Sequence, residues 1–462
     1  MSGRARSAVR PDWANRNFEV VLLARVSMSA GRALAGVVAP IYLALEGFSA
    51  FGLAEYVMVV ALASAVMSSV IGLRSDQVGR KAFLVGVPFL SAVAGAAFAF
   101  SRSTVLLFVL GALGSFGRGA GAGAGAVGPY QPAESAFVAE GVDARYRNAA
   151  FGRLASGSAL GATAGGLLAL LVPDGRASAA AATAVYRPAF LAISAVSLLA
   201  GLLALALEEP PSGRAQPGGG RRAKRPHGAR FPHRSRWLLY RLWVTNTANG
   251  LAVGMFGPFV TYWFFRRFGA GPGRIGVLFA VINVLTMASS LSAAGLARRW
   301  GLVRTVSTVR IMQALLLVPM ALSPYFSLAG AIYLVRMVVQ RIGLPLRQSY
   351  VIALADPKER ASVAALSNLP SQLAMAASPL LSGYLFDEVS LSVPFEVAAF
   401  LQFLNASTFW VFFRGAPPEE ERDKPTGNEA GGDVADVHEA DVHEADVEEA
   451  DVEEAVDDLA GP

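Results

Sequence analysis

The stretch Gly72-Leu73-Arg74-Ser75-Asp76-Gln77-Val78-Gly79-Arg80-Lys81 decides the reading of this chain. It is a short run of charge and glycine between two long apolar segments, Ala54–Ile71 and Ala82–Phe100. Neither flank is suited to water, so the run is expected to form a tight turn at a membrane surface. Asp76 can accept backbone N–H bonds at a neighbouring helix start, where the helix dipole favours an anion. Gly79 permits a sharp reversal. Arg80 and Lys81 hold the turn on the cytoplasmic side.

Outward from that stretch the whole chain has the same character. Of its 462 residues, 54% are hydrophobic and 16% charged, against about 25% charged in an average soluble domain. A polytopic membrane protein follows. There is no cysteine, which excludes disulfides, thiol nucleophiles and cysteine–metal clusters. The four histidines are His227 and His233 in a basic stretch and His438 and His443 in an acidic one, so no buried histidine site can be built. No nucleophile–base pair or metal cluster can be assembled, no cofactor is called for, and an enzyme is not expected.

A spanning helix needs about 20 largely apolar residues. Twelve segments qualify, at roughly 18–45, 51–72, 82–100, 104–139, 150–172, 186–207, 238–265, 273–297, 303–324, 327–355, 361–387 and 394–414. The expected organisation is a cytoplasmic tail (1–17), a first six-helix bundle (18–207), a basic cytoplasmic linker (208–236), a second six-helix bundle (237–414) and an acidic, disordered cytoplasmic tail (415–462). The linker is rich in Pro, Gly and Arg. The last tail carries a five-residue acidic repeat from Asp436 to Ala455. Most positive loops lie on the side of both termini. Arg266, Arg267 and Arg274 fall on the other side.

The two halves repeat. Segment 4 ends Gly128-Pro129 … Ala139-Glu140 and then Arg145 and Arg147; segment 10 ends Gly343-Leu344-Pro345 … Ala355-Asp356 and then Lys358 and Arg360. Segment 5 carries Gly157, Gly161, Gly165 and Gly166. Segment 11 carries Ala374, Ser378, Pro379, Ser382 and Gly383 at matching spacing. Small residues four apart let helices approach closely. They serve packing here, both within and between the halves.

Gly72-x-x-x-Asp76-x-x-Gly79-Arg80-Lys81 resembles the loop 2–3 signature of the major facilitator superfamily of transporters, with Arg74 at the usual leucine position. Gly161-Ala162-x-x-Gly165-Gly166 resembles the helix-5 motif of its drug/proton antiporters, with Ala162 for the usual proline. Pro379 stands at the equivalent place in segment 11. The resemblance implies twelve transmembrane helices in two pseudo-symmetric six-helix bundles and a cavity lined by helices 1, 4, 7 and 10. It implies gating by Gly72, Asp76, Gly79, Arg80 and Lys81.

The sorting of charge agrees with that implication. Segments 3, 6 and 12 have no ionisable side chain in their middles, whereas segment 1 holds Arg25 and Arg32, segment 4 Arg118 and Glu134, and segment 10 Arg336, Arg341 and Arg347. Arg310 and Gln313 of segment 9 depart mildly from the pattern. Intramembrane charge is costly and usually faces a cavity or a partner. Arg32 lies about 20 Å along segment 1, near mid-membrane. Glu134 follows two prolines, Pro129 and Pro132, which interrupt a helix. A carboxylate at such a break can serve proton coupling, or can pair with an arginine of segment 4 or 10.

The cavity candidates are Arg32, Arg118, Gln131, Glu134, Asn246, Asn249, Arg341, Arg347 and Gln348. Arg336 is nearer the outer end and is expected to snorkel to the interface. The expected function is alternating-access transport of a small solute across the cell membrane by a monomer, as proton-coupled efflux. Transport of an anionic metabolite or oxyanion is the alternative, and a transport-inactive sensor or scaffold is the reading from another class. The partners are lipid, a small-molecule substrate and protons, with no nucleic acid.

Overall fold

A computed structural model describes residues 14–117, 128–173, 179–208, 235–289, 302–354 and 366–414, with Asp356, Glu359 and Val363 besides. The chain divides into two units, 1–415 and 416–462. The second unit, linker residues 209–234 and Arg118 lie outside the described residues.

The described residues are helical. In chain order the helices are α1 (Arg16–Leu45), α2 (Ala50–Val78), α3 (Arg80–Phe98), α4 (Thr104–Gly114), α5 (Gln131–Gly141), α6 (Arg147–Leu168), α7 (Ala179–Leu205), α8 (Arg236–Phe256), α9 (Val260–Phe268), α10 (Pro272–Ser289), α11 (Leu302–Leu322), α12 (Phe326–Leu354), α13 (Leu369–Glu388) and α14 (Val393–Phe413). Seven of them are long and apolar enough to cross a membrane on their own. Their outer faces stay apolar, as at Leu62, Val66 and Val70 on α2 and Phe400 and Phe403 on α14. A helix satisfies its own backbone bonds, which is what permits such a face to meet lipid.

Two expectations change. The Gly72–Lys81 stretch is not a turn throughout: α2 continues to Val78, and only Gly79 (φ 99°, ψ 140°) leaves the helix before α3 starts at Arg80. A positive φ of that kind suits glycine. Segment 4 is interrupted, as Pro129 and Pro132 lead one to expect. α4 stops at Ser115, which is left-handed at φ 54°, and α5 starts anew after Gly128 (φ 97°) and Pro129. Segment 7 is likewise two helices, α8 and α9, parted at Gly257-Pro258. Proline removes a backbone donor, and neighbouring side chains satisfy carbonyls freed near such a break. Beside it, Ser382 Oγ donates to the Met255 carbonyl at 2.6 Å.

Within the first half α1 packs on α6 and α7, and α7 on α3. Within the second, α8 packs on α13 and α14, and α11 on α12 and α14. The halves meet where α6 touches α10 and where α2 touches α13. The start of each half is tied to residues that follow its fourth apolar segment. Asn15 caps α1 through its bond to the Phe18 N–H and donates to the Gly141 carbonyl at the end of α5. In the second half the Ser235 N–H donates to Glu359, and Ser235 Oγ accepts from the Asp356 N–H.

Glycine sets the closeness of these contacts. A Cβ on Gly161 or Gly165 would strike the carbonyl oxygens of Val26 and Ala30 on α1, whereas a Cβ on Gly152, one helix face away, would meet nothing within 4 Å. Gly165→Ala is therefore expected to cost about 1–3 kcal/mol through forced helix separation. Gly152→Ala is expected to be neutral or to gain up to about 1 kcal/mol from helix propensity. Thermal unfolding of both variants in detergent checks the contrast.

Candidate functional site

Glu134 sits in the first turn of α5, just after the break, and is fully buried. Its Oε2 pairs with Arg25 Nη1, and Arg25 Nε donates to Ser158 Oγ on α6 at 2.5 Å. Ser29 Oγ, one turn along α1, donates to the Ser158 carbonyl at 2.6 Å. Three helices therefore converge on one ion pair. The partner is Arg25 of segment 1, not an arginine of segment 4 or 10 as the sequence suggested. Glu134 Oε1 and the Tyr130 hydroxyl are both buried and have no hydrogen-bond partner among the described residues. Unsatisfied acceptors of this kind are costly unless a proton, water or ligand meets them. Arg32, seven residues along α1, lies against Gly128; a Cβ there would collide with its guanidinium. The gap left by glycine at the break is thus filled by Arg32.

The Gly72–Lys81 motif leans on the same broken segment. Arg80 Nη1 donates to the Ala136 carbonyl of α5 at 2.9 Å and pairs with Glu140. A Cβ on Gly72 would lie 3.8 Å from Pro132. Lys81 is half-buried. Asp76 lies in the last turns of α2, and its side chain is outside the described residues.

Other expected residues are dispersed. Gln131 is exposed at the start of α5, and Arg341 is half-buried on α12. Asn246 is buried and donates to the Ser367 carbonyl at 2.6 Å, which makes it glue between α8 and the start of α13. Arg347 and Gln348 belong to α12, with side chains outside the described residues. Asn249 lines a small pocket with Arg310, Gln313, Gln340, Gln402 and the valines Val306 and Val309.

The small-residue motifs divide their work. Gly157, Gly161 and Gly165 face α1, while Gly166 abuts Gly276 of α10 across the halves. In α13, Ser378 packs beside Gly254 of α8, Pro379 is buried, and Gly383 abuts Ala50 and Ala54 of α2 across the halves.

The sequence reading missed four features. Arg25 stands in the sequence only as one of two arginines in segment 1, with no sign that it pairs with Glu134. The amides Gln402 and Asn405 gave no signal apart from their polarity in apolar helices. Asp387 joins the halves: its carboxylate accepts from the backbone N–H groups of Ala50 and Phe51 at 2.9 and 2.8 Å, capping α2. Arg336 does not snorkel; it is fully buried, with its guanidinium 4.0 Å from the centre of the Phe256 ring.

Against known families, the model described as Major Facilitator Superfamily matches residues 21–339 and 242–438. The chain belongs to the Major Facilitator Superfamily. No curated protein matches the sequence. Among solved structures, a bacterial homolog of the human lysosomal transporter Spinster, in an inward-facing and occupied conformation, aligns with TM-score 0.67 at 14% identity, over 88% of this chain and 98% of that one. The nucleoside transporter NupG aligns with TM-score 0.66 at 13% identity, over 87% and 100%. A D-xylose-proton symporter aligns with TM-score 0.61 at 14% identity, over 86% and 97%. These likenesses concern the fold. The chain is an all-helical, multi-pass membrane transporter of this superfamily and not an enzyme.

Removing one member of a buried ion pair strands the other. Arg25→Met is expected to lower stability by about 3–5 kcal/mol, and Arg25→Met with Glu134→Leu to recover most of that loss. Thermal unfolding of the two variants measures it; equal loss in both would show that the pair is not the stabilising element.

Proposed function

We propose that this facilitator works as a proton-coupled exporter of a small solute in the cell membrane, with both termini in the cytoplasm. The observation that carries the reading is the Arg25–Glu134 pair. Glu134 is the only buried carboxylate among the described residues, and it lies at a helix break between α1 and α6. A carboxylate held by one arginine can exchange its partner for a proton when the surroundings change from dry to wet. Arg25 is then released to interact with other groups of the cavity. Two states of one pair thus couple a proton to a rearrangement of three helices.

Alternating access supplies the rearrangement. The principal contacts between the halves gather at the end away from Gly72–Lys81. There Gly166 meets Gly276, Gly383 and Asp387 meet the start of α2, and Thr261 Oγ1 donates to the Gly36 carbonyl at 3.2 Å. The conformation is read as closed at that end and open at the motif end. The motif end carries Arg80, Lys81, Arg145 and Arg147 and is assigned to the cytoplasm on the positive-inside rule. Asp76, Gly79 and Arg80 would close it in the opposite state.

A second reading, transport of an anionic metabolite or oxyanion, is favoured by the half-buried Arg32 and Arg341 on two of the four helices expected to line the cavity.

Everted membrane vesicles test both. With an acid interior, wild type is expected to accumulate fluorescent lipophilic cations, and Glu134→Gln to lose pH-driven accumulation while keeping gradient-free exchange. Undiminished pH-driven accumulation by Glu134→Gln would remove the coupling role. Accumulation of organic anions but no cations would favour the second reading.

A further inference from the structure

Glu134 is fully buried, so a proton that couples to it must be handed over by another group. On the motif side α5 continues with the buried apolar side chains Phe137 and Val138. Toward α6 stands Ser158, but its hydroxyl is engaged: it donates to the Leu154 carbonyl at 3.1 Å and accepts from Arg25 Nε. Arg25 holds Oε2, and an arginine stays protonated in a protein. None of these groups can pass a proton to Oε1.

Tyr130 is placed differently. Its carbonyl accepts the Glu134 N–H at 3.1 Å, so the two side chains stand one turn apart on the same face at the start of α5. It lies on the side of the helix break, away from the motif end that α5 reaches at Gly141. Tyr130 is 3% exposed, and its phenol is within electrostatic reach of Glu134 and of Arg25 and Arg32 on α1. Elsewhere around α5, Arg74 of α2 and Arg153 of α6 are exposed, and Arg80 of α3 is taken up by the Ala136 carbonyl and Glu140. The Tyr130 hydroxyl and Glu134 Oε1 are both buried, both without a partner among the described residues, and not bonded to each other. Burying an unpaired hydroxyl is costly, yet this turn carries a tyrosine where a phenylalanine would pack as well.

We propose that Tyr130 is the relay through which Glu134 gains and loses its proton. This path rests on the coupling reading above and supplies the route which that reading needs. One water held between Tyr130 Oη and Glu134 Oε1 completes the wire; both atoms are polar, buried and available to it. In one hand-off, a proton from the side of the break bonds to the phenolic oxygen, the phenol's own proton passes to the water, and a proton of that water passes to Oε1. At each oxygen of the wire one O–H bond forms as another breaks, so phenol and water are restored and the net change is one proton on Glu134. Oε2 keeps Arg25 throughout, so the proton arrives before the ion pair loosens. Tyr130 acts through Glu134, as a positioning residue for the proton and not as a second titrating site.

The test follows proton uptake by the purified full-length protein in detergent after a rapid drop in pH, read as growth of the protonated-carboxyl C=O stretch in the infrared. Wild type is expected to show a band that Glu134→Gln lacks. Tyr130→Phe is expected to reach the same final amplitude about tenfold more slowly, with a larger H₂O/D₂O rate ratio than wild type. Its Tm is expected to equal or exceed that of wild type, because the lost hydroxyl had no partner. If Glu134→Gln removes no band, the coupling reading and the relay both fall. If it removes the band but Tyr130→Phe takes up the proton at the wild-type rate, the relay alone falls. A Tyr130→Phe protein with a lowered Tm and an unchanged isotope ratio would mark the tyrosine as structural and overturn the proposal.

Discussion

The close approach of α6 to two neighbours at once is the constraint on which the rest depends. Gly157, Gly161 and Gly165 let α1 lie against one face of α6, backbone on backbone. Gly166, rotated by one residue, lets α10 of the other half lie against the next face. Lipid offers no hydrophobic drive to hold helices together, so packing at close range and a few polar contacts must do it. One helix therefore binds the first half internally and also forms half of the seam. The same logic recurs in α13, where Ser378 serves α8 and Gly383 serves α2.

On that scaffold the charges take two different forms. The first half buries a neutralised pair, Arg25 with Glu134, at a helix break supported by Ser158. The second half buries arginines among amides and keeps its carboxylates at the ends. The fold repeats, but the electrostatics do not. A pseudo-symmetric architecture can thus place a titratable switch in one bundle and a fixed cationic centre in the other.

Much of this was legible in the sequence because hydropathy and small-residue spacing are local signals. Each of the twelve apolar segments contains described helix. Helix breaks were less legible. Pro258 gave the same warning as Pro129 and Pro132, yet an unbroken apolar composition hid the interruption in segment 7. The Gly72–Lys81 stretch looked like a loop because it is polar, but polarity at the end of a membrane helix is compatible with further helical turns in water. Partners were least legible. Glu134 could be marked as important from its depth, but choosing Arg25 requires knowing how α1 crosses α5 and α6. Asp387 was hidden for the same reason: its role is to cap a helix that lies 336 residues away in the chain.

The most direct test of the account is a pair of distances. The chain contains no cysteine, so spin labels can be placed on Leu73 and Leu369 at the motif end and, separately, on Glu46 and Glu396 at the other end. Pulsed electron–electron measurements would then be made with and without Asp387→Ala, which removes the cap on α2. Rocking of one half on the other predicts opposite changes: the motif-end distance shortens while the far-end distance lengthens. Distances that both stay fixed, or that both move in the same sense, would contradict it.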